Sequence, residues 1–397
     1  MSDVVRSDAE RRATGAPSRF GAPRTWYLLP VLMASFLLSL AGAPVIAGPL
    51  TAAGAGTPGT LSPAAPGAED LTTPEALAGL QVVPDVSFDG VSCFSKAQCV
   101  AVGLRLGTNH GGAFVVIADG VPGPVEAVPG TIELTSVDCV SSTTCYVSGT
   151  APYVNPAGQS TTGGAVVTIS NGSSASVNGL GVPPLGLGDP GFMDLDGIGC
   201  AGASACIATG FTPEVGGFSV PVIHGIADDK LRPTGALTTN GVECVNGRRC
   251  MVNANVIAGF GQGEAEFGWD WAAKIGAKGH LLLGPVGGVL KTTLNGGACH
   301  HDDLEFCLIA GSARKEGVVD VAVGVTSAHD AAVPGTSSLS DVSCASAFWC
   351  VATGLSTSDE GVLVPIGWET PEAPVPVTGT QFSGVSCAST GDRKSVV

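Results

Sequence analysis

A cysteine-paired unit that recurs along the chain limits its fold more than any other feature of the sequence. Each copy has a first cysteine at the end of a short segment, as in Gly-Val-Ser-Cys93 and Asp-Val-Ser-Cys344. A second cysteine then opens a short apolar stretch, as in Cys99-Val-Ala-Val-Gly103. The first cysteines recur about every 49 residues and end with a seventh, Cys387. A repeat of this length is typical of proteins in which each copy is one supersecondary unit.

Each unit contains segments typical of short β-strands. After the cysteine pair comes a continuous apolar run, such as Phe114–Ala118 or Trp271–Ile275, and a weaker segment such as Val125–Val128 precedes the next cysteine. Glycine, proline, asparagine and serine clusters separate these runs, as they separate antiparallel strands. No segment keeps a 3.6-residue apolar period, so we expect little helix in the repeats.

Four strands in 40–50 residues predict the blade of a β-propeller. Blades stack face to face, so their strands are apolar on both faces, whereas the strands of a two-sheet sandwich alternate. We therefore predict an all-β fold, a β-propeller with six complete four-stranded blades. A seventh blade is expected to be incomplete, with its first strand near Cys387 and its last at residues 81–85, which leaves an open edge in the ring.

The cysteine spacing predicts one disulfide in each complete blade. Two antiparallel strands joined by a short turn place the flanking residues opposite each other, with Cβ atoms ~4.5–5.5 Å apart. Zinc would need four ligands at one point, which pairs spread around a ring do not provide. The predicted pairs are Cys93–Cys99, Cys139–Cys145, Cys200–Cys206, Cys244–Cys250, Cys299–Cys307 and Cys344–Cys350.

The Val-Ser-Cys-x5-Cys-Val-Ala-x-Gly unit resembles the cysteine-paired repeats of secreted bacterial proteins related to the sialidase-like (BNR-type) propellers. The resemblance covers residues 81–387 and implies a propeller fold. The Ser-x-Asp-x-Gly-x-Thr-Trp box of sialidases is absent. The resemblance therefore implies no catalytic residue.

The N-terminal part of the chain has the pattern of an export signal. An arginine-rich leader (residues 1–25) precedes an uncharged apolar helix (residues 26–47) that is long enough to span a bilayer. This segment is either a signal peptide cleaved near Ala47 or a retained membrane anchor. An Ala/Gly/Pro/Thr-rich linker (residues 48–80), expected to be disordered, then leads to the repeat domain (residues 81–390). Both alternatives place the repeats outside the cytoplasm.

The repeat pattern breaks at the end of the chain. Arg393 stands where a second cysteine is expected after Cys387. The last six residues, from Asp392, match one reading frame of a common sequencing adapter. We expect residues 391–397 to be a non-native tail on a truncated seventh repeat.

The charge balance limits the partners of the chain. Lys and Arg number 18 against 34 Asp and Glu, a net charge of −16, whereas a nucleic-acid surface needs clustered cations. The chain carries no P-loop, dinucleotide fingerprint or nucleophile elbow, and we predict no cofactor. The expected partner is an extracellular ligand, either a protein or a glycan.

Several acidic residues are candidates for chemistry. Asp138 and Glu243 both directly precede a first cysteine. If this position faces the ring axis, the two carboxyl groups could form a glycosidase-type acid/base pair. The sequence favours solvated rim positions for them, and surface loops for Asp194 and Asp196.

Two other clusters are candidate binding sites. The loop from His300 to Glu305 holds two histidines and two aspartates that could bind a divalent metal ion, although an ordinary polar hairpin tip is favoured. Trp269 and Trp271 could stack on a sugar, although packing is the more usual role.

Together these patterns predict an exported, disulfide-linked propeller that serves as a secreted or cell-surface binding or scaffold module. The alternative is an extracellular carbohydrate-active enzyme with its site at the ring axis.

Overall fold

The computed structural model describes residues 83–387, except for 96, 108–109, 157, 182–190, 246–248, 261–262, 276–280, 291, 300–305, 324–325, 347–348 and 368–369. All of the regular secondary structure in these ranges is β-strand. Among these residues there is accordingly no helix that is long and apolar enough to cross a membrane. The predicted leader (1–25), signal or anchor helix (26–47), linker (48–80) and tail (391–397) lie outside the described residues.

The strands form six antiparallel sheets, or blades, in which four consecutive strands are hydrogen-bonded in chain order. The first blade contains β1 (Val86–Ser95), β2 (Gln98–Arg105), β3 (Gly111–Ala118), β4 (Val121–Pro122) and β5 (Glu126–Ala127). The second contains β6 (Glu133–Ser141), β7 (Thr144–Val154), β8 (Ser160–Ser170) and β9 (Ser173–Leu180). The third contains β10 (Asp194–Cys200), β11 (Cys206–Thr212), β12 (Gly216–Ile223), β13 (Ile226–Ala227) and β14 (Arg232–Pro233).

The remaining blades follow the same order. The fourth contains β15 (Thr238–Val245), β16 (Arg249–Phe260), β17 (Gly263–Ile275) and β18 (Leu281–Leu290). The fifth contains β19 (Thr292–Cys299), β20 (Phe306–Ala313), β21 (Glu316–Val323) and β22 (Thr326–Val333). The sixth contains β23 (Thr336–Ser346), β24 (Trp349–Ser356), β25 (Gly361–Gly367), β26 (Thr370–Pro371) and β27 (Val375–Val377). In the first, third and sixth blades, an extra short strand pairs with the third strand.

The blades are arranged as a β-propeller. The first strand of each blade, here called the inner strand, contacts the inner strand of the next blade, from β1 and β6 through to β19 and β23. Buried apolar side chains fill the space between blades; Phe114 of the first blade, for example, packs with Leu134 and Val147 of the second. Because the first and third blades cover both faces of the second, β7 and β8 are buried along most of their length. This burial explains the continuous apolar runs in the sequence.

Each inner strand contains a β-bulge at the same place. Positions in an inner strand are counted back from its first cysteine, so that Asp138 is at position −1. In all six blades the pairing of the first two strands shifts at position −4, as between Phe88 and Gly90. A bulge bends the strand and redirects the side chain of the extra residue. The residue at position −4 thereby leaves the regular alternation of the strand.

The structure places the sulfur atoms of all six predicted cysteine pairs at disulfide distance, between 1.96 and 2.12 Å. The two cysteines of each pair are directly opposed in the antiparallel ladder, as Cys93 and Cys99 are in β1 and β2. Each disulfide therefore links the inner strand of a blade to the second strand of the same blade.

The C-terminal segment closes the inner part of the ring, where an open edge was expected. Residues 383–387 lie between β23 and β1 and are hydrogen-bonded to both sides. The main-chain N–H groups of Val385 and Cys387 donate to Asp341 and Ser343 of the sixth blade, and Ser386 accepts from Cys93 of the first. The inner ring is therefore closed by seven inner segments.

The blade count nevertheless differs from that of a complete seven-bladed ring. At the seventh position the described residues form only the inner segment, residues 383–387. This segment belongs to none of the six sheets, and no further strand of a seventh blade lies among the described residues. The predicted last strand at residues 81–85 is wrong for the part described. Val83 is not in a strand, and Pro84 and Asp85 form a turn, with Asp85 at φ 62°. Proline lacks the N–H group that a ladder needs, which accounts for the difference.

Candidate binding cavity at the propeller axis

The inner segments surround a cavity of about 590 Å³, here called the axial cavity. All seven segments contribute to its lining, from Asp89 in the first blade to Ser386 in the seventh position. Its lining side chains include five carboxyl groups and no lysine, arginine or histidine. The carboxyl groups belong to Asp89, Asp138, Asp196, Glu243 and Asp341. The cavity therefore favours neutral polar or cationic groups over anions.

The side chain at position −1 joins neighbouring blades through a main-chain N–H group. Ser92 accepts a hydrogen bond from Cys139 at 3.0 Å, and Asp138 accepts one from Cys200 at 2.7 Å. Ser343 and Ser386 make the corresponding contacts on either side of the seventh segment. We call this set of contacts the amide belt. A carboxylate fits the amide belt because it is a strong acceptor.

The side chain at position −4 makes a second set of contacts, which we call the carbonyl belt. Asn240 donates from Nδ2 to the carbonyl oxygen of Leu294 at 2.6 Å, and Asn295 donates to Leu339 at 2.7 Å. Thr135 donates through its hydroxyl group to the carbonyl oxygen of Leu195. Each acceptor is at position −5 of the next blade. The bulge directs these side chains toward the neighbouring blade.

Asp341 holds the sixth blade to the seventh segment from position −3. Its Oδ2 accepts from the N–H group of Val385 at 2.9 Å, and its Oδ1 accepts from Val342 at 2.8 Å. Burial raises the pKa of Asp341 to about 7, and the two N–H donors oppose this rise. Burial likewise raises the pKa of Asp138 to about 6, against the N–H group of Cys200.

Glu243 is the carboxyl group of the axial cavity with the most unfavourable surroundings. Burial raises its pKa well above the ordinary value, and the negative charges of Asp138 and Asp341 raise it further. It occupies position −1 but makes no amide-belt contact among the described residues. Glu243 therefore differs from Asp138, which joins two blades through the N–H group of Cys200.

The two carboxyl groups at position −4 are also shifted. Burial raises the pKa of Asp89 to about 6, and nearby Glu133 adds to the effect. Burial raises the pKa of Asp196 to about 7, with further contributions from Asp194 and Glu133. Like charges this close oppose ionisation of both groups.

The axial cavity brings together some of the predicted residues and adds others. The expectation of solvated rim positions for Asp138 and Glu243 is wrong, since both line the cavity. The expectation of surface loops for Asp194 and Asp196 is also wrong: both are half-buried in β10, and Asp196 lines the cavity. Sequence reasoning missed Asp89 and Asp341. Alignment of the units on their first cysteine places Asp89 with Asp196, and this alignment is the signal that could have found Asp89.

Two other candidates are not tested by the described residues. The loop from His300 to Glu305 lies outside them. Trp269 and Trp271 are in β17, where the structure describes the backbone only. Within the described ranges no group of three histidine, cysteine or acidic side chains is arranged to hold a metal ion.

Comparisons with known proteins give only weak similarities. No family model matches the sequence, and no curated protein matches it. A crystal structure of glucose dehydrogenase is 12% identical, with a TM-score of 0.43, over 72% of this chain and 99% of that one. A second glucose dehydrogenase is 11% identical, with a TM-score of 0.39, over 76% of this chain and all of that one. These similarities are too weak to indicate an activity.

Proposed function

We propose that this protein is an exported, disulfide-linked β-propeller that binds an extracellular ligand in its axial cavity. The single observation that carries the proposal is the acid-lined cavity at the meeting point of all seven inner segments. Six disulfides support an oxidising compartment outside the cytoplasm. Residues 26–47 would direct export, either as a signal cleaved near Ala47 or as an anchor.

The lining favours a glycan as the ligand. Carboxyl, amide and hydroxyl groups converge on the axial cavity, and such groups exchange hydrogen bonds with the hydroxyl groups of sugars. Anionic ligands are disfavoured, because no basic side chain among the lining residues would pair with them. Glu243 is the proposed polar contact, since Asp138 already joins two blades.

The test is a glycan array probed with the purified chain and with the Glu243→Gln variant. The variant keeps the size of the side chain and replaces the carboxyl group by an amide. We expect the wild-type protein to bind a defined group of neutral glycans and the variant to lose about tenfold or more in affinity, the cost of a buried ligand hydroxyl group that loses a matched hydrogen-bond partner. Glu214→Gln is the matched control, because Glu214 is an exposed residue of the β11–β12 turn. Failure of the wild-type protein to bind, or equal binding by Glu243→Gln, would contradict the proposal.

A second candidate function is glycoside hydrolysis by Asp138 and Glu243. The observation in its favour is that both carboxyl groups line the axial cavity, where burial and then the charge of Asp138 raise the pKa of Glu243, as in acid/base pairs. Chromogenic glycosides provide the test. Hydrolysis that disappears in both Asp138→Asn and Glu243→Gln would support the enzyme; binding without turnover would support the binding module.

A further inference from the structure

The carbonyl belt has three donors that reveal a common rule. Thr135, Asn240 and Asn295 are each the bulged residue at position −4, and each donates to the carbonyl oxygen at position −5 of the next blade. All three carry a proton on a neutral side chain. A carbonyl oxygen can only accept, so the residue facing it must be a donor.

Asp89 and Asp196 stand at the same bulged position in the first and third blades. The carbonyl oxygens at position −5 of the next blades belong to Leu134, after Asp89, and to Thr239, after Asp196. Oδ2 of Asp89 is buried and has no hydrogen-bond partner among the described residues. An ionised carboxylate at this position would lie next to a carbonyl oxygen without a hydrogen bond, because both groups can only accept.

We propose that Asp89 and Asp196 hold a proton in the folded protein and donate it in hydrogen bonds to the next blade, which makes the carbonyl belt a pH-sensitive closure of the axial cavity. The proposal rests on the register of the inner strands and is independent of any ligand. It separates two kinds of carboxyl group in one cavity. A carboxyl group of the carbonyl belt needs a proton to form its hydrogen bond. Asp138 and Asp341 accept hydrogen bonds from N–H groups, and these contacts need no proton on the carboxyl group.

The charges around the two donors support the protonated state. Glu133 at the start of β6 acts on both, and Asp194 of β10 acts on Asp196. Burial is the main cause that raises the pKa values of Asp89 and Asp196, to about 6 and about 7, and these facing groups, which are all acidic, add to it. In the unfolded chain both groups return to ordinary values near 3.8.

The direction of the pH effect follows from this difference. Between about pH 4 and pH 7 the folded protein binds more protons than the unfolded chain, so its stability falls as the pH rises. Above pH 7 both carboxyl groups are ionised and the belt lacks two links. A neutral donor such as Asn at position −4 has no such dependence.

The test exchanges donors between blades. Asp196→Asn copies the residue of the fourth and fifth blades, and Asn240→Asp copies that of the third, so each variant places a residue where the fold already accepts it. Urea unfolding at pH 5 and pH 8 is measured for the wild-type protein and both variants. Glu214→Gln is the control, since it alters an exposed carboxyl group that does not line the axial cavity.

We expect the unfolding equilibrium constant of the wild-type protein to rise about tenfold or more from pH 5 to pH 8, a discounted value for a half-buried carboxyl group. Asp196→Asn reduces this rise and Asn240→Asp enlarges it, whereas Glu214→Gln leaves it unchanged. A direct readout is the carboxyl ¹³C shift of Asp196, which we expect to titrate near pH 7. Titration near pH 4, or an unchanged pH dependence in Asp196→Asn, would overturn the proposal.

Discussion

At the scale of single residues, the bulge at position −4 determines what the second strand can contain. Where the inner strand bends, its main chain approaches the fourth residue after the second cysteine. A Cβ atom on Gly103 would lie 2.8 Å from Cα of Phe88 and still closer to the carbonyl oxygen of Ser87. Gly149 and Gly210 are in the same relation to the second and third inner strands. Glycine is needed at the end of the Val-Ala-x-Gly motif because the main chain of the inner strand lies too close for a Cβ atom, which only glycine lacks.

Gly103→Ala is therefore expected to destabilise the propeller by about 1–3 kcal/mol, because main-chain atoms cannot move away from a new methyl group without disturbing the bulge. The free energy of unfolding from urea titration measures the effect. Gly179→Ala in β9 is the matched control, because a Cβ atom there would have no heavy atom within 4 Å. Equal effects of the two substitutions would mean that the bulge does not bring these strands together.

The repeat pattern locates the residues at position −1 but does not reveal the role of those at position −4. Asp138 and Glu243 are found by aligning the units, since the cysteine next to them fixes their place. The sequence favours a loop for Asp196 because strand alternation does not reveal a bulge, which redirects one side chain without changing the apolar pattern around it. The same limit applies to Asp89, whose environment depends on Glu133 of the next blade.

At the scale of the elements, the cysteine pair fixes the register of each hairpin. Predicted third strands such as Phe114–Ala118 and Trp271–Ile275 fall within β3 and β17. These boundaries were predictable because both strand faces are buried and the turns are marked by glycine, asparagine and serine. The predicted strand at residues 81–85 failed because apolar character alone does not identify a sheet partner.

Removal of one disulfide is expected to weaken one blade without unfolding the ring. The double variant Cys139→Ala/Cys145→Ala opens a small loop, and the entropy of that loop corresponds to about 2 kcal/mol of stability. Thermal and urea unfolding measure the loss. The double variant Cys344→Ala/Cys350→Ala should lose a similar amount, and the combination should be additive because the two sites lie in separate blades. An effect near zero for both would contradict a stabilising role of the disulfides.

At the scale of the whole molecule, the axial cavity is formed by all seven inner segments together, and no single blade contains it. Its carboxyl groups come from five different blades and act on one another, as Asp138 and Asp341 do on Glu243. The repeat predicted the ring, yet sequence spacing alone could not show which inner residues meet at the axis. The seventh segment was expected to leave an edge; its contacts with Asp341 and Ser343 instead make it part of the ring.

Hydrogen exchange of the segment 383–387 tests the closed ring most directly. In the closed ring, the N–H groups of Val385, Cys387 and Cys93 are held by Asp341, Ser343 and Ser386. We expect peptides that contain them to exchange slowly in the native protein, and Ser386→Ala to accelerate exchange at Cys93. Exchange of the 383–387 peptide at the rate of an unfolded chain would contradict a propeller closed by seven inner segments.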